Sequence, residues 1–528
     1  MQLTILATSD IHGYLFPTDY MDESVETPLG LFKAASAIEK ERRDNDGALL
    51  LIENGDFIQG SPLSQYVNEQ HHTPKYLISA LNELDYDIGI IGNHEFNFGL
   101  DYLNASISKA NHPVLSANIL TKEGDYVADA PTKIIEKDGI KIGVLGLTTQ
   151  YIPHWEHPQN IENLCFISAV ETAKEWVPKL KKQADVIVVA YHGGFESDLF
   201  TGDPTERHTG ENEGHRLLRE VPGIDVLITG HQHREIAEVI NDVAVIQPGH
   251  RGENIGKVEL KIKKDNEKIK IIERKTELIS TKNFPANKKL IKKYQFLEDE
   301  VQDWLDEVIG QTASDMHIKD PNQARIQEHP YVEFINRVQM YYGKADISCT
   351  ALFSNTVPGY GKNITNRDVI LNYPFPNTLS VIKINGEELK EALEKSADYF
   401  TINEKDEIVV NPKYYTPKPQ PYNYDMYEGI DYILDIAKPV GQRVVKLAFN
   451  GKTIQANDQF ELVTNQYRAV GGGNYSMFEG KEFIREINQS MSDLLKEYIQ
   501  NKKVIRVNVN NNFQVINGGI VSKEKNLL

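Results

Sequence analysis

Short runs of Val, Ile and Leu recur along the first 260 residues, and most give way to a polar loop rich in His, Asp, Asn or Gly. They are Leu3–Ala7, Leu49–Ile52, Ile88–Ile91, Ile142–Leu147, Val186–Ala190, Val226–Ile228 and Val243–Ile246. Between several of them the apolar positions return every three or four residues, as in Leu29–Arg43, Pro74–Leu84 and Ile167–Gln183. That spacing belongs to helices, and strands alternating with helices predict a layered α/β fold.

A longer helical pattern follows. Leu290, Ile291, Tyr294, Leu297, Val301, Trp304 and Leu305 mark one face of a charged amphipathic helix over 287–309. It divides the chain into a first region, 1–286, and a second, 310–515, with a tail at 516–528. The second region has helix patterns at His329–Tyr342 and Gly386–Tyr399 and strand patterns at Leu379–Ile384 and Phe460–Thr464, which predict another α/β domain. Asn403–Pro421 reads as loop, and the residues from Ser522 onward as frayed.

Composition narrows the partners. The net charge of −19 over 528 residues argues against a general nucleic-acid-binding surface, because a phosphate backbone requires clustered Lys and Arg. An anionic substrate then needs local positive charge, which bound metal can supply. No apolar run approaches the ~20 residues of a membrane-spanning helix. The first residues lack the basic flank and apolar core of a secretory signal, so a cytoplasmic protein is expected. Two cysteines, Cys165 and Cys349, are too few for a disulfide framework and are expected to be buried, inert thiols.

Five of the strand-like runs end in groups that bind metals: Asp10 and His12, Asp56, Asn93 and His94, His192, and His231 and His233. Functional loops gather at the carboxyl ends of strands in such sheets. Each piece alone also fits a turn or a solvated loop, but their joint occurrence in order points to one site. Carboxylate and amide oxygens with imidazoles suit manganese or zinc, and two ions fit if one carboxylate bridges them. Asp56 is the candidate bridge, since Gly55 lets the backbone come close.

The segments Ser9-Asp10-Ile11-His12-Gly13, Gly55-Asp56, Gly92-Asn93-His94-Glu95, His192 and Gly230-His231-Gln232-His233 resemble the signature of calcineurin-like metallophosphoesterases. More narrowly the chain resembles the 5′-nucleotidase family, in particular its branch of 2′,3′-cyclic-nucleotide 2′-phosphodiesterase/3′-nucleotidases. The resemblance implies a layered β-sandwich with flanking helices, followed by an α/β substrate-binding domain. It implies one ion on Asp10, His12, Asp56 and His233, a second on Asp56, Asn93, His192 and His231, and His94 as the catalytic histidine. Asn97 stands where the 5′-specific enzymes carry Asp. It matches the cyclic-phosphodiesterase branch, and an amide orients the ring without favouring imidazolium as a carboxylate does.

The same resemblance places the nucleoside in the second domain. Tyr467 matches one wall of an aromatic clamp and Tyr422 the other, with Tyr424 a rival for the second wall. Asn465, Arg468 and Asn423 are candidates for sugar or base contacts, or equally for loop hydrogen bonds. Two facing rings stack a base with little regard to its identity. Family members join the two sites by interdomain rotation, for which the helix after Asn287 is the expected hinge. The implied substrates are nucleoside cyclic phosphates and monophosphates. A 5′-nucleotidase, a nucleotide-sugar hydrolase and a metal-dependent nucleotide-binding protein are the alternatives.

Overall fold

The computed structural model describes residues 1–528 except 22–24, 155, 207, 266–267, 376, 417–418 and 520–528, so the expected fraying from Ser522 lies outside the described residues. Two compact units divide the chain, Met1–Asp303 and Trp304–Leu528.

In the first unit two six-stranded sheets pack face to face. One runs, in spatial order, Lys268–Ser280, Asn254–Asp265, Gln2–Thr8, Ala48–Glu53, Ile88–Ile90 and Val114–Leu115. The other runs Glu235–Ile240, Val243–Pro248, Val226–Ile228, Val186–His192, Ile140–Thr148 and Thr132–Lys137. Alternation decides which side chains meet between them. Leu3, Ile5, Leu50, Ile52 and Ile88 from one sheet join Ile142, Val144, Val186, Val188 and Ile246 from the other in a single buried cluster. On the far face of the second sheet, Leu145, Val189 and Val245 pack under Val170, Ala173 and Val177 of the helix Ala169–Leu180. Strands covered on both faces read as unbroken apolar runs, which is why these were visible in the sequence.

The strands 2–8, 48–53 and 88–90 are parallel, as are 140–148, 186–192, 226–228 and 243–248. Within each set the carboxyl ends therefore lie on one side of the sheet. The helices predicted from spacing occur at Leu31–Asp44, Lys75–Asn82 and Ala169–Leu180.

The amphipathic stretch 287–309 is helical over Lys288–Asp306, and the division between the units falls inside it. Its N-terminal part is built into the first unit: Tyr294 meets Phe32 with ring centroids 5.7 Å apart, and the Asn287 amide donates to Glu39 at 2.7 Å. Ile309 is not helical. It belongs to the strand Val308–Thr312, which pairs with Asn363–Thr365 and Val504–Ile505.

The second unit has its own core around a five-stranded sheet, in spatial order Asp425–Glu428, Ile347–Ala351, Gln459–Asn465, Thr378–Asn385 and Phe483–Ser490. Helices Pro330–Gly343 and Gly386–Ala397 occupy the predicted stretches. Asn403–Pro421 is less irregular than expected, because Ile408–Val410 pairs with Phe400–Ile402 as a short hairpin. Of the cysteines, Cys349 is buried as expected but Cys165 is exposed, since it sits on the two-stranded ribbon Ile119–Thr121/Leu164–Phe166 outside both main sheets. No described helix is long and apolar enough to cross a membrane.

Candidate metal centre

Strand ends bring the metal-binding candidates of the first unit together. Asp10 follows strand 2–8, Asp56 follows 48–53 and Asn93 follows 88–90; His192 ends strand 186–192, and His231 and His233 follow 226–228. Three overlapping groups form: Asp10, His12 and His233; His12, Asp56 and His94; and Asp56, His192 and His231. Within each, ligand atoms lie within 4.8 Å of one another.

Holding so many polar groups at one point distorts the chain. Asp10, His12, Asp56, His231 and His233 all have positive φ, between 54° and 67°. Such conformations cost non-glycine residues on the order of 1 kcal/mol each and persist only where the surroundings enforce them. Enforcement here is backbone to backbone: Asp10 N–H donates to Gly55 O at 2.9 Å and His12 N–H to Asp56 O at 2.8 Å. Gly55 has φ 87°, and a Cβ there would meet Gly92 N at 2.6 Å and His192 Nδ1 at 2.8 Å. Only glycine lets the two loops approach this closely. Glu95 braces them further, accepting the backbone N–H groups of Asp56 at 2.8 Å and of Phe57 and Gly92 at 2.7 Å each.

The imidazoles are oriented by what lies behind them. His12 Nδ1 meets Gln59 O at 2.9 Å and His192 Nδ1 meets Asn54 O at 2.6 Å. A carbonyl only accepts, so both Nδ1 atoms carry a proton and both Nε2 atoms face inward. His231 has the opposite arrangement, with Nε2 2.9 Å from Glu211 and Nδ1 2.7 Å from Asn93 Oδ1. Inside the cluster these groups converge closely: His12 Nε2 is 3.0 Å from His233 Nε2, and His192 Nε2 is 3.1 Å from Asp56 Oδ2 and 3.2 Å from Asn93 Oδ1. Asp56 Oδ2 is buried and receives no hydrogen bond.

Two buried carboxylates among these groups favour positive charge. Burial opposes charging His192, but Asp56 and Asp10 outweigh it and push its pKa up to about 10. Burial, reinforced by His233, pulls His12 down to about 3. Divalent ions satisfy such a donor set, and ring nitrogens backed by carbonyl or carboxylate partners are the usual outer support of metal-binding histidines.

His94 sits at the rim. Its backbone N–H donates to Asp56 Oδ1 at 2.8 Å, its Nδ1 lies 2.6 Å from Asn97 Oδ1, and its ring centroid is 5.1 Å from that of His12. Several residues of the neighbourhood were not among the sequence candidates. Glu95 lay inside a quoted motif, and His250, whose ring stacks on His233 at 4.8 Å, follows the strand Val243–Pro248. Glu211 and Glu156 stand in irregular segments with no periodic signal.

In the second unit, Arg468 organises the aromatic candidates. Its buried guanidinium pairs with Asp425 at 2.7 Å, donates to Tyr422 O at 2.7 Å and to Gly472 O, and lies 3.8 Å from the Tyr475 ring and 5.9 Å from that of Tyr467. Arg468 therefore ties the loops of Tyr422 and Tyr467 to one anchor, and both rings are half-buried. Asn465 is committed locally, because its side chain caps the helix Gln466–Ala469 by accepting Arg468 N–H at 2.9 Å. Asn423 Nδ2 donates to Gln420 at 2.7 Å while its Oδ1 is buried and accepts no hydrogen bond. Tyr424 is not a clamp wall. It is fully buried, packed 4.9 Å from Phe400 and 5.5 Å from Tyr399, because the strand that starts at Asp425 turns it into the core.

Comparison with known proteins matches residues 3–235 to the calcineurin-like phosphoesterase family and 308–480 to the 5′-nucleotidase C-terminal domain. A 2′,3′-cyclic-nucleotide 2′-phosphodiesterase/3′-nucleotidase of Salmonella typhimurium is 30% identical, over 89% of this chain and 82% of its own. The trifunctional nucleotide phosphoesterase YfkN of Bacillus subtilis is 28% identical over all of this chain, which spans 40% of YfkN's length. A Staphylococcus aureus protein described as a candidate 5′-nucleotidase, crystallised with α-ketoglutarate, superposes with a TM-score of 0.91 at 40% identity, covering 98% of this chain and 100% of that one.

Proposed function

Because this chain belongs to the 5′-nucleotidase family, with a calcineurin-like phosphoesterase domain and a 5′-nucleotidase C-terminal domain, we propose that it is a metal-dependent phosphohydrolase of nucleotides. Its substrates on this reading are nucleoside 2′,3′-cyclic phosphates and 3′-monophosphates. The observation that carries it is the cluster of Asp10, His12, Asp56, Asn93, His192, His231 and His233 with His94 at its rim.

Asp10, His12, Asp56 and His233 would hold one divalent ion and Asp56, Asn93, His192 and His231 a second, Mn²⁺ or Zn²⁺. When bound, such a pair supplies a nucleophilic hydroxide at neutral pH and neutralises the phosphoryl oxygens. His94 holds its Nδ1 proton towards Asn97, which leaves Nε2 to face the phosphoryl group, where it donates to the charge that develops as the ester bond breaks when it too carries a proton. Glu95 keeps the Asp56 and Asn93 loops from moving apart. Tyr467 and Tyr422 would stack the base, on loops held by Arg468. Asn97 and the 30% identical Salmonella relative support the cyclic and 3′ substrates. The 40% identical Staphylococcus protein supports a second reading, 5′-nucleotidase.

Phosphate and nucleoside release from 2′,3′-cyclic AMP, 3′-AMP and 5′-AMP, with metal-stripped protein reloaded with Mn²⁺ or Zn²⁺, separates them. Turnover of the cyclic and 3′ substrates is expected, with His94→Ala lowering kcat by about 10²–10⁴-fold. Turnover of 5′-AMP alone would establish the second reading, and binding without turnover by any reloaded sample would refute both.

A further inference from the structure

Two residues in series stand behind the His94 ring. Asn97 Oδ1 lies 2.6 Å from His94 Nδ1, and Asn97 Nδ2 donates to Glu156 Oε2 at 2.6 Å. The other Glu156 oxygen accepts His157 N–H and Asn160 Nδ2, both at 2.8 Å. Asn160 Nδ2 also reaches Asn97 O at 3.2 Å, closing a ring of contacts around the pair. Glu156 is 5% exposed, so this set of donors stands where solvent would. Burial raises its carboxyl pKa, and Asn160, His157 and Asn97 each pull it back.

An asparagine amide has two faces of nearly the same shape and opposite hydrogen-bonding sense. Left alone, Asn97 could present either oxygen or NH₂ to the imidazole, and the two choices select opposite tautomers. A carboxylate accepts only, so Glu156 claims the amide nitrogen and leaves the oxygen for His94. An oxygen there requires the proton on Nδ1, which turns the other nitrogen, Nε2, away from Asn97.

We propose that Glu156 is a positioning residue that fixes the orientation of the Asn97 amide and, through it, the tautomer and direction of the His94 ring. The assignment rests on the reading that His94 acts on the phosphoryl group. It makes Asn97 and Glu156 a unit whose parts exchange roles: a carboxylate may contact the ring directly or stand one residue behind an amide, but not both.

That reciprocity gives the test. Wild type, E156Q, N97D and the double variant N97D/E156Q are reloaded with Mn²⁺ and assayed on bis-p-nitrophenyl phosphate and 2′,3′-cyclic AMP. E156Q is expected to lose about tenfold or more in kcat with KM changed less than about twofold, because the Gln amide no longer dictates which end of Asn97 faces the ring. N97D is expected to lose activity as well, because its new carboxyl shares one proton with that of Glu156, and wherever that proton rests on the introduced carboxyl the ring loses its fixed acceptor. The double variant recovers to within about threefold of wild type, since the Gln amide donates to the introduced carboxylate, which then orients the ring itself; structural bracing alone predicts losses that add. Nitrogen-15 spectra of the Zn²⁺ protein should show His94 protonated on Nδ1 in wild type and a tautomer mixture in E156Q.

An E156Q protein with wild-type kcat, a double variant no better than the single ones, or a wild-type His94 without a proton on Nδ1 would overturn the assignment. Wild type active on bis-p-nitrophenyl phosphate but not on the nucleotides would count against the nucleotide reading alone, and the variant series on the first substrate would still decide this one. Inactivity on both substrates would remove the role of His94 and this assignment with it.

Discussion

At the scale of single residues the first unit shows how burial rather than composition sets chemistry. His112 is 6% exposed beneath strand 88–90, where a Cβ on Gly89 would meet its Nε2 at 2.9 Å. Burial lowers its pKa to about 4, against the partial opposition of Asp129 and Asp87. The sign follows from linkage. Between pH 6.5 and about 4 the unfolded chain binds a proton that the folded protein refuses, so this contribution is fully present above pH 6.5 and is lost as pH falls towards 4. Its size is on the order of 3 kcal/mol for a shift of this magnitude. Denaturant titrations at pH 7 and pH 4.5 should show a smaller loss of stability in His112→Asn than in wild type, and equal losses would show that the histidine charges freely. The same scale explains what the sequence left hidden. Asp10, His12 and Asp56 announced themselves because they follow strands, whereas Glu156 and Glu211 act from irregular segments whose positions depend on distant contacts.

Among the elements, strand 2–8 is one of the two central strands of its sheet. It pairs with Ala48–Glu53 on one side and Asn254–Asp265 on the other, and leads directly into Asp10. Ile5 is fully buried between the sheets. Ile5→Ala is expected to cost about 2–5 kcal/mol by leaving a cavity, read as a fall in the denaturation midpoint. A loss below about 0.5 kcal/mol would mean that the sandwich closes around the gap. The partner strand Asn254–Asp265 escaped the reading of periodicity, although Val258, Leu260 and Ile262 alternate inward as they should. Lys257, Glu259 and Lys261 interrupt its apolar positions, and it lies beside the equally charged Lys268–Ser280, the sheet edge, where charge discourages further pairing. In the stretch 287–309 the amphipathic period identified the helix, and that its N-terminal part packs on Phe32 came only from the fold.

For the whole molecule the proposed reading divides labour between the units, and each half is open to its own measurement. If the first unit holds the ions, binding stabilises the folded state by linkage, about 2.7 kcal/mol at a hundred times Kd. Chelation should therefore lower Tm and Mn²⁺ or Zn²⁺ restore it, while a Tm indifferent to chelator would show that the folded cluster binds no ion. If the second unit holds the base, Tyr467→Ala should raise KM for nucleotides by about 5–150-fold, the loss of about 1–3 kcal/mol of stacking, and leave hydrolysis of bis-p-nitrophenyl phosphate unchanged. Equal losses on both substrates would place Tyr467 outside base recognition.

By itself the sequence determined the layered α/β class, most of the buried strands and the five polar loops, because apolar period and ligand spacing are local properties of the chain. Tertiary structure decided the rest. It sent Tyr424 into the core beside Phe400, left Cys165 exposed and placed Glu156 behind Asn97. Each of those outcomes depends on which residues far apart in the chain meet, and neither period nor spacing carries that information.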